Sequence, residues 1–433
     1  MRKWIYCLAF IFLTGCSTKQ KDSYFSTEKA LWYFNRVREI CNLDSGRLWG
    51  KNLYGPLMFV DRQTKKIYAN GPDAEGTLKL KDGIYTGTFP REIVLDNAGA
   101  KIGGTLFATA PLRQNDDTFR IVTRAVHGLF HTFRKNSGIK PSGTFINKMD
   151  ERNARLWLKL EWKALRNAIS SDGKHRDLAL RDALIFRGAR REQYPMEVKE
   201  ENGFECWEGL TTFTYMLLCS KSEEAARQNL LDNLDRTYNF QSYSRSYGFI
   251  HGALYAWLAY KKGFDFSTIT HDSTDMARIA GTLYNIRLPS ICRDVAGSVA
   301  LAYEPQAIYK EEDQRAQNIK DEIHRQIEGF TENPVVFLEL ESPYFDFEPE
   351  EIRSLDTLGT IYNSIRVSDN WGKLTVEKGG CLVSYNLNSV RIPAKQVSED
   401  KNHITGDGWH LILNDDWHMI KMKENYFIRK LAP

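Results

Sequence analysis

The sequence predicts an α+β protein: a strand-rich N-terminal segment, a central helical domain and a small C-terminal β domain. Three observations carry that prediction. Short apolar runs broken by Gly, Pro and Asn fill residues 44–112. From Thr118 to about Gly329 apolar residues recur at helical spacing. At Glu332-Asn333-Pro334 the pattern returns to short runs with Gly, Asn and Asp turns. The expected boundaries are 44–117, 118–332 and 333–433. A chain of 433 residues has room for them, since domains usually run ~100–200 residues.

The first fifteen residues stand apart from that fold. Arg2-Lys3 is a positive n-region, and Trp4 to Leu13 is an apolar h-region. The run is shorter than the ~20 residues of a membrane-spanning helix, which marks residues 1–15 as a signal peptide. Its end, Leu13-Thr14-Gly15-Cys16, resembles the lipobox of bacterial lipoprotein signals. That resemblance implies cleavage before Cys16, acylation of its thiol and new amino group, and a place in the bacterial cell envelope. Several acyl chains on one residue anchor stably to a membrane, where a single chain binds marginally. Ser17 to Ser26 reads as a polar tether. Thr27, Leu31, Phe34, Val37 and Ile40 then recur at helical spacing, so 16–43 combines lipidated Cys, tether and first helix.

The strand-rich segment begins with Tyr54-Gly55-Pro56-Leu57-Met58-Phe59-Val60-Asp61, a strand entering a polar turn. Lys66 to Asn70 and Leu78 to Leu80 read as further strands. The helical domain opens with Phe119 to Phe133, compatible with a buried helix. Leu156, Trp157, Leu160, Trp162, Leu165 and Ile169 make 154–169 strongly amphipathic. Helices are also expected over 176–191 (ending before Tyr194-Pro195), 205–218, 222–234, 245–262, 272–286 and 305–328. In the C-terminal part, Val335 to Leu340, Gly372 to Val376, Cys381 to Tyr385 and Trp409 to Leu413 read as short strands.

Composition excludes some roles. The net charge of +4 is small and gathered into no patch, so nucleic acid is not an expected partner. Arg187, Arg190 and Arg191 read as a solvated helix face. Leaving aside Cys7 and Cys16, five cysteines remain (Cys41, Cys206, Cys219, Cys292 and Cys381). They are widely spaced and form no CxxC pair. Buried thiols with at most a bridge or two are expected, not a cysteine zinc site.

One motif carries chemistry: His127-Gly128-Leu129-Phe130-His131. Two histidines four apart on a helix project from one face and can reach one metal ion. In the HExxH motif the residue after the first His is a Glu, general base toward the metal-bound water; here it is Gly128. A third ligand would complete an open zinc site, and Glu208, on a separate helix, is the candidate. Glu161 is its rival, or else a carboxylate that orients a ligand His.

Beyond that motif, the chain resembles a bacterial lipoprotein group of HExxH proteins with a gluzincin-like layout. The resemblance runs from Leu48-Trp49-Gly50 and Tyr54 to Asp61 through His127 to His131, Trp157 to Trp162, Arg181 to Leu184 and Glu208-Gly209-Leu210. It continues into Leu355 to Tyr362, Trp371-Gly372 and Gly406 to Trp409, so it covers most of the mature chain. Gluzincins are zinc peptidases with two His ligands and one Glu. The resemblance thus implies a zincin-like central domain with His127, His131 and Glu208 as ligands, and the catalytic Glu falling on Gly128. It also implies an oxyanion group from a later helix, for which Tyr247, His251 and Tyr255 are candidates beside plain aromatic packing. A base would then have to come from elsewhere, such as Glu205, one helical turn before Glu208. The expectation is a membrane-anchored, metallopeptidase-like lipoprotein with a peptide or protein ligand and impaired or absent hydrolysis. The alternative is a zinc-independent peptide- or carbohydrate-binding lipoprotein, although Trp157, Trp162 and Trp257 lie in apolar helical runs that favour core packing.

Overall fold

The computed structural model describes residues 25–90, 93, 95–140, 146–347 and 352–431. The expected signal peptide, Cys16 and most of the expected tether lie outside the described residues. Helix accounts for 48% of the chain and strand for 21%, in largely separate stretches, which makes the fold α+β. Two compact units divide at Glu312 and Asp313.

In the first unit, helix α1 (Thr27–Asp44) starts where the Ser26 hydroxyl accepts from the Lys29 N–H and ends at Ser45 in the left-handed region. It buries Ala30, Phe34, Val37, Ile40 and Cys41, while Leu31 faces out. Six strands follow: β1 (Leu57–Asp61), β2 (Lys66–Ala69), β3 (Lys79–Lys81), β4 (Ile84–Thr88), β5 (Ala100–Ile102) and β6 (Thr105–Leu112). They form one sheet in the order β3-β4-β2-β1-β6-β5, in which β1 and β6 run parallel. Strands β4 to β6 were not legible in the sequence. Their glycines and threonines give weak alternation. Strand β1 is buried at every position. Leu57 and Phe59 join the main core, and Met58 and Val60 join a second cluster with Ile67, Ala69 and Phe107, so the sheet is covered on both faces.

Helix α2 (Thr118–Asn136) leaves β6 after a five-residue turn and packs back onto it. The Asp117 carboxylate accepts from the Arg120 N–H at its start, and Arg134 and Lys135 complement the dipole at its end. The helical layer continues with α3 (Arg152–Ser170), α4 (Gly173–Gln193) and α5 (Val198–Phe204), the last running directly into a π turn, Glu205–Gly209. Then come α6 (Leu210–Cys219), α7 (Glu223–Tyr238), α8 (Tyr247–Lys261), α9 (Met276–Leu283), α10 (Arg293–Ala300) and α11 (Pro305–Thr331). Helix α10 is short, and the sequence pattern did not show it. Trp162 and Trp257 are buried in this core, as their apolar surroundings predicted. No helix of the described residues is long and apolar enough to cross a membrane.

The second unit begins inside α11, and its strands run from Val335 to Lys430. Among the described residues they form a seven-stranded and a six-stranded sheet. Val336, Val383 and Ile392 of one sheet share a buried cluster with Val367, Leu374 and Leu411 of the other, as in a sandwich. The five cysteines of the described residues are free thiols, four of them buried. Burial pushes the Cys41 thiol up to about 12, so it is inert.

Candidate metal centre

Helix α2 presents His127 and His131 one turn apart, their Nε2 atoms 2.9 Å from each other. His131 is buried and His127 keeps an exposed edge. Glu208 enters from the π turn, its Oε2 3.5 Å from His131 Nε2 and 4.0 Å from His127 Nε2. A tetrahedral ion with bonds of about 2.0–2.2 Å holds its donors about 3.3–3.5 Å apart. The three observed separations, 2.9, 3.5 and 4.0 Å, bracket that spacing, so two nitrogens and one oxygen converge as for a divalent ion with an open fourth position.

The electrostatics agree. Burial holds both imidazoles down to about 3, helped at His127 by its His131 neighbour and at His131 by Arg134. They are therefore neutral near pH 7, the state in which a histidine ligates. Burial also raises the Glu208 carboxyl, against a smaller pull from His127. Its Oε2 is buried with no hydrogen-bond partner among the described residues. An uncompensated carboxylate oxygen in such a place is costly, and a cation would relieve it. His131 Nδ1 is likewise unpartnered, so the outer hydrogen bond usual for a ligand His is not made here.

The π turn is itself held in place. Arg134, also on α2, donates to the Cys206 carbonyl and, at 3.3 Å, to Cys206 Sγ, and its guanidinium lies 4.8 Å over the Trp207 ring. Trp207 packs against the His131 ring at 4.8 Å. On the far side, Gly209 meets Gly252 of α8 so closely that a β-carbon on Gly209 would lie 2.5 Å from the Gly252 Cα. A π turn fits one extra residue into the helix. It thereby turns Glu205 and Glu208 in different directions, where an α-helical turn would leave residues three apart on one face.

Glu205 consequently serves another assembly. Its carboxylate accepts from Arg187 at 2.7 and 3.0 Å. Glu161 accepts from Arg190 (2.9 Å), Tyr255 (2.6 Å) and His251 (2.7 Å). Glu201 pairs with Arg190 and, at 2.9 Å, with Arg191. Arg187, Arg190, Glu161, Glu201, Glu205, Tyr247, His251 and Tyr255 are all buried, at 0–2% exposure. This corrects the reading of Arg187, Arg190 and Arg191 as a solvated face. Carboxylates from other helices compensate the guanidinium charges, and one sequence window cannot show them. The same cluster takes Glu161, the rival third ligand, and Glu205, the substitute base, away from the histidines. Tyr247, His251 and Tyr255 sit in it too, and none of them lines the cavity at His127.

That cavity measures about 330 Å³ and is bordered by His127, Tyr215, Arg120, Arg124, Asn233 and Arg236 among others. Tyr215 lies 5.9 Å from His127, ring to ring, and borders the same cavity. Sequence reading missed it, although its position seven residues after Glu208, about two helical turns, was the available signal.

Gly128 packs against the sheet. A β-carbon there would lie 2.6 Å from the Thr109 carbonyl oxygen and 3.3 Å from its nitrogen, both backbone atoms of β6. The position that the motif reserves for a base has no room for a side chain. No family model, curated protein or solved structure matches the chain.

Proposed function

We propose that this chain is a lipoprotein of the bacterial cell envelope whose helical domain is a gluzincin-like zinc site that binds and does not hydrolyse. Cys16 is its anchor, and a peptide or protein is its ligand. His127, His131 and Glu208 hold the ion, which when bound supplies Lewis acidity at the open position. The observation that carries the reading is the pairing of these converging donors with the closed position at Gly128.

General-base catalysis contributes about 10²–10⁴-fold. Glu205 and Glu161 do not take that role, because both are committed to arginines. Tyr215 borders the cavity beside His127. What remains is recognition in the space beside His127.

The test is metal content of the chain from Ser17, by elemental mass spectrometry, beside His131→Ala. About one zinc per chain, lost in the variant, supports the reading, and metal-free wild type overturns it. Chelator-sensitive peptide cleavage by the wild type would overturn the non-hydrolytic half alone. The anchor is checked separately: full-length protein should partition into detergent, and Cys16→Ser should abolish this.

A further inference from the structure

We propose that the cavity beside His127 is a carboxylate subsite, in which Arg236 and Arg120 receive the anionic end of a peptide. The inference rests on the reading of His127 as one wall of a ligand cleft, and it adds the ligand's chemistry.

Helices α2, α6 and α7, with Asn97, border an open cavity of about 330 Å³, near the lower end of the ~300–1,000 Å³ of small-ligand sites. Such a space takes a chain terminus or one side chain. Its border carries three arginines and, among the described residues, no carboxylate. The three arginines are not equivalent. Arg124 is spent: it donates to both oxygens of Asp116 and, at 2.6 Å, to the Pro111 carbonyl. Arg120 reaches Asp117 only at 3.9 Å with both side chains 65% exposed, a contact worth little, and that carboxylate already caps α2.

Arg236 makes no side-chain hydrogen bond or ion pair among the described residues. Its place in the last turn of α7 complements the helix dipole. That interaction leaves its five N–H donors unused. Asn233, one turn earlier on the same helix, adds an amide donor at the border, and His127 and Tyr215 close the side toward the metal ligands.

One unpaired and one weakly paired guanidinium group beside a small cavity suit a planar anion of one charge. A carboxylate matches the fork geometry of arginine and accepts about four hydrogen bonds. Backbone carboxylates and acidic side chains share this chemistry, and a peptide series separates them.

The experiment is calorimetric titration of the chain from Ser17 with four probes. These are N-acetyl-Ala-Ala-Ala as free acid, the same peptide as C-terminal amide, N-acetyl-Ala-Ala-Glu amide, and inorganic phosphate. At least one carboxylate peptide should bind about tenfold more tightly than the neutral amide, the worth of one charge-assisted hydrogen bond. Which of the two does so names the source. Arg236→Glu should abolish that preference and Arg236→Lys should retain part of it, both with unchanged helical circular dichroism. Equal binding of acid and amide, or binding of phosphate alone, overturns the proposal. His131→Ala separates the two readings. Carboxylate preference that persists in metal-free protein sustains this subsite even if the zinc assignment fails. Zinc binding without carboxylate preference does the reverse.

Discussion

The backbone of Gly128 stands so near strand β6 that its missing β-carbon would come within 2.6 Å of the Thr109 carbonyl oxygen. Glycine here is a packing requirement. It brings α2 onto the sheet, and that approach fixes where His127 and His131 point. The position that would carry a base in an HExxH helix is the contact surface of this one.

Gly128→Ala is therefore expected to destabilise. Alanine returns ~1 kcal/mol of helix propensity. Overpacking against backbone atoms that cannot swing away costs about 1–3 kcal/mol. The net loss should be on the order of 1 kcal/mol, read from urea denaturation, and Gly128→Glu should lose more while gaining no peptidase activity. A stable, active Gly128→Glu would show that β6 yields easily.

Metal should add stability to the native state only. Zinc at a hundredfold excess over its Kd stabilises by about 2.7 kcal/mol. A chelator should lower the wild-type melting temperature by several degrees and leave His131→Ala unmoved. Scanning calorimetry decides this, and an unmoved wild type would count against the three-ligand site.

Glu161 gives a pH signature. Burial would raise its carboxyl, but His251 and Arg190 beside it outweigh burial and hold it well below the ordinary range. Its stabilisation is thus fully present above the unfolded value of about 4.3 and fades as pH falls below it. Glu161→Gln should cost about 3–5 kcal/mol near pH 7, since it leaves Arg190 less compensated. The gap between variant and wild type should narrow by pH 3. A gap independent of pH would show that the carboxylate is not charged in the fold.

Arg134 holds the turn that carries Glu208, through Cys206 and Trp207. Arg134→Met should weaken zinc about 10–100-fold, the size found when groups that orient ligands are removed. Arg134→Lys should recover part of the loss. Competition with a chromophoric chelator measures this, and unchanged affinity in folded Arg134→Met would leave the arginine a purely structural part.

Much of this was legible along the chain. The α+β class, the helices around 154–169 and 245–262, the strand at 57–61 and the His pair follow from local periodicity, because burying one face imposes a fixed repeat on its residues. Glu208 could be named beforehand, but Glu161 could not be dismissed, since nothing local says which of two carboxylates on different helices meets a histidine. Tertiary structure decided that by inserting a π turn, which sends Glu208 to the histidines and Glu205 to Arg187. It also turned the arginines of α4 inward, because their compensating carboxylates come from α3, α5 and that turn. Sequence determines what each segment is able to form. Which charges meet, and whether a glycine is a vacancy or a contact, depends on groups brought together from distant parts of the chain.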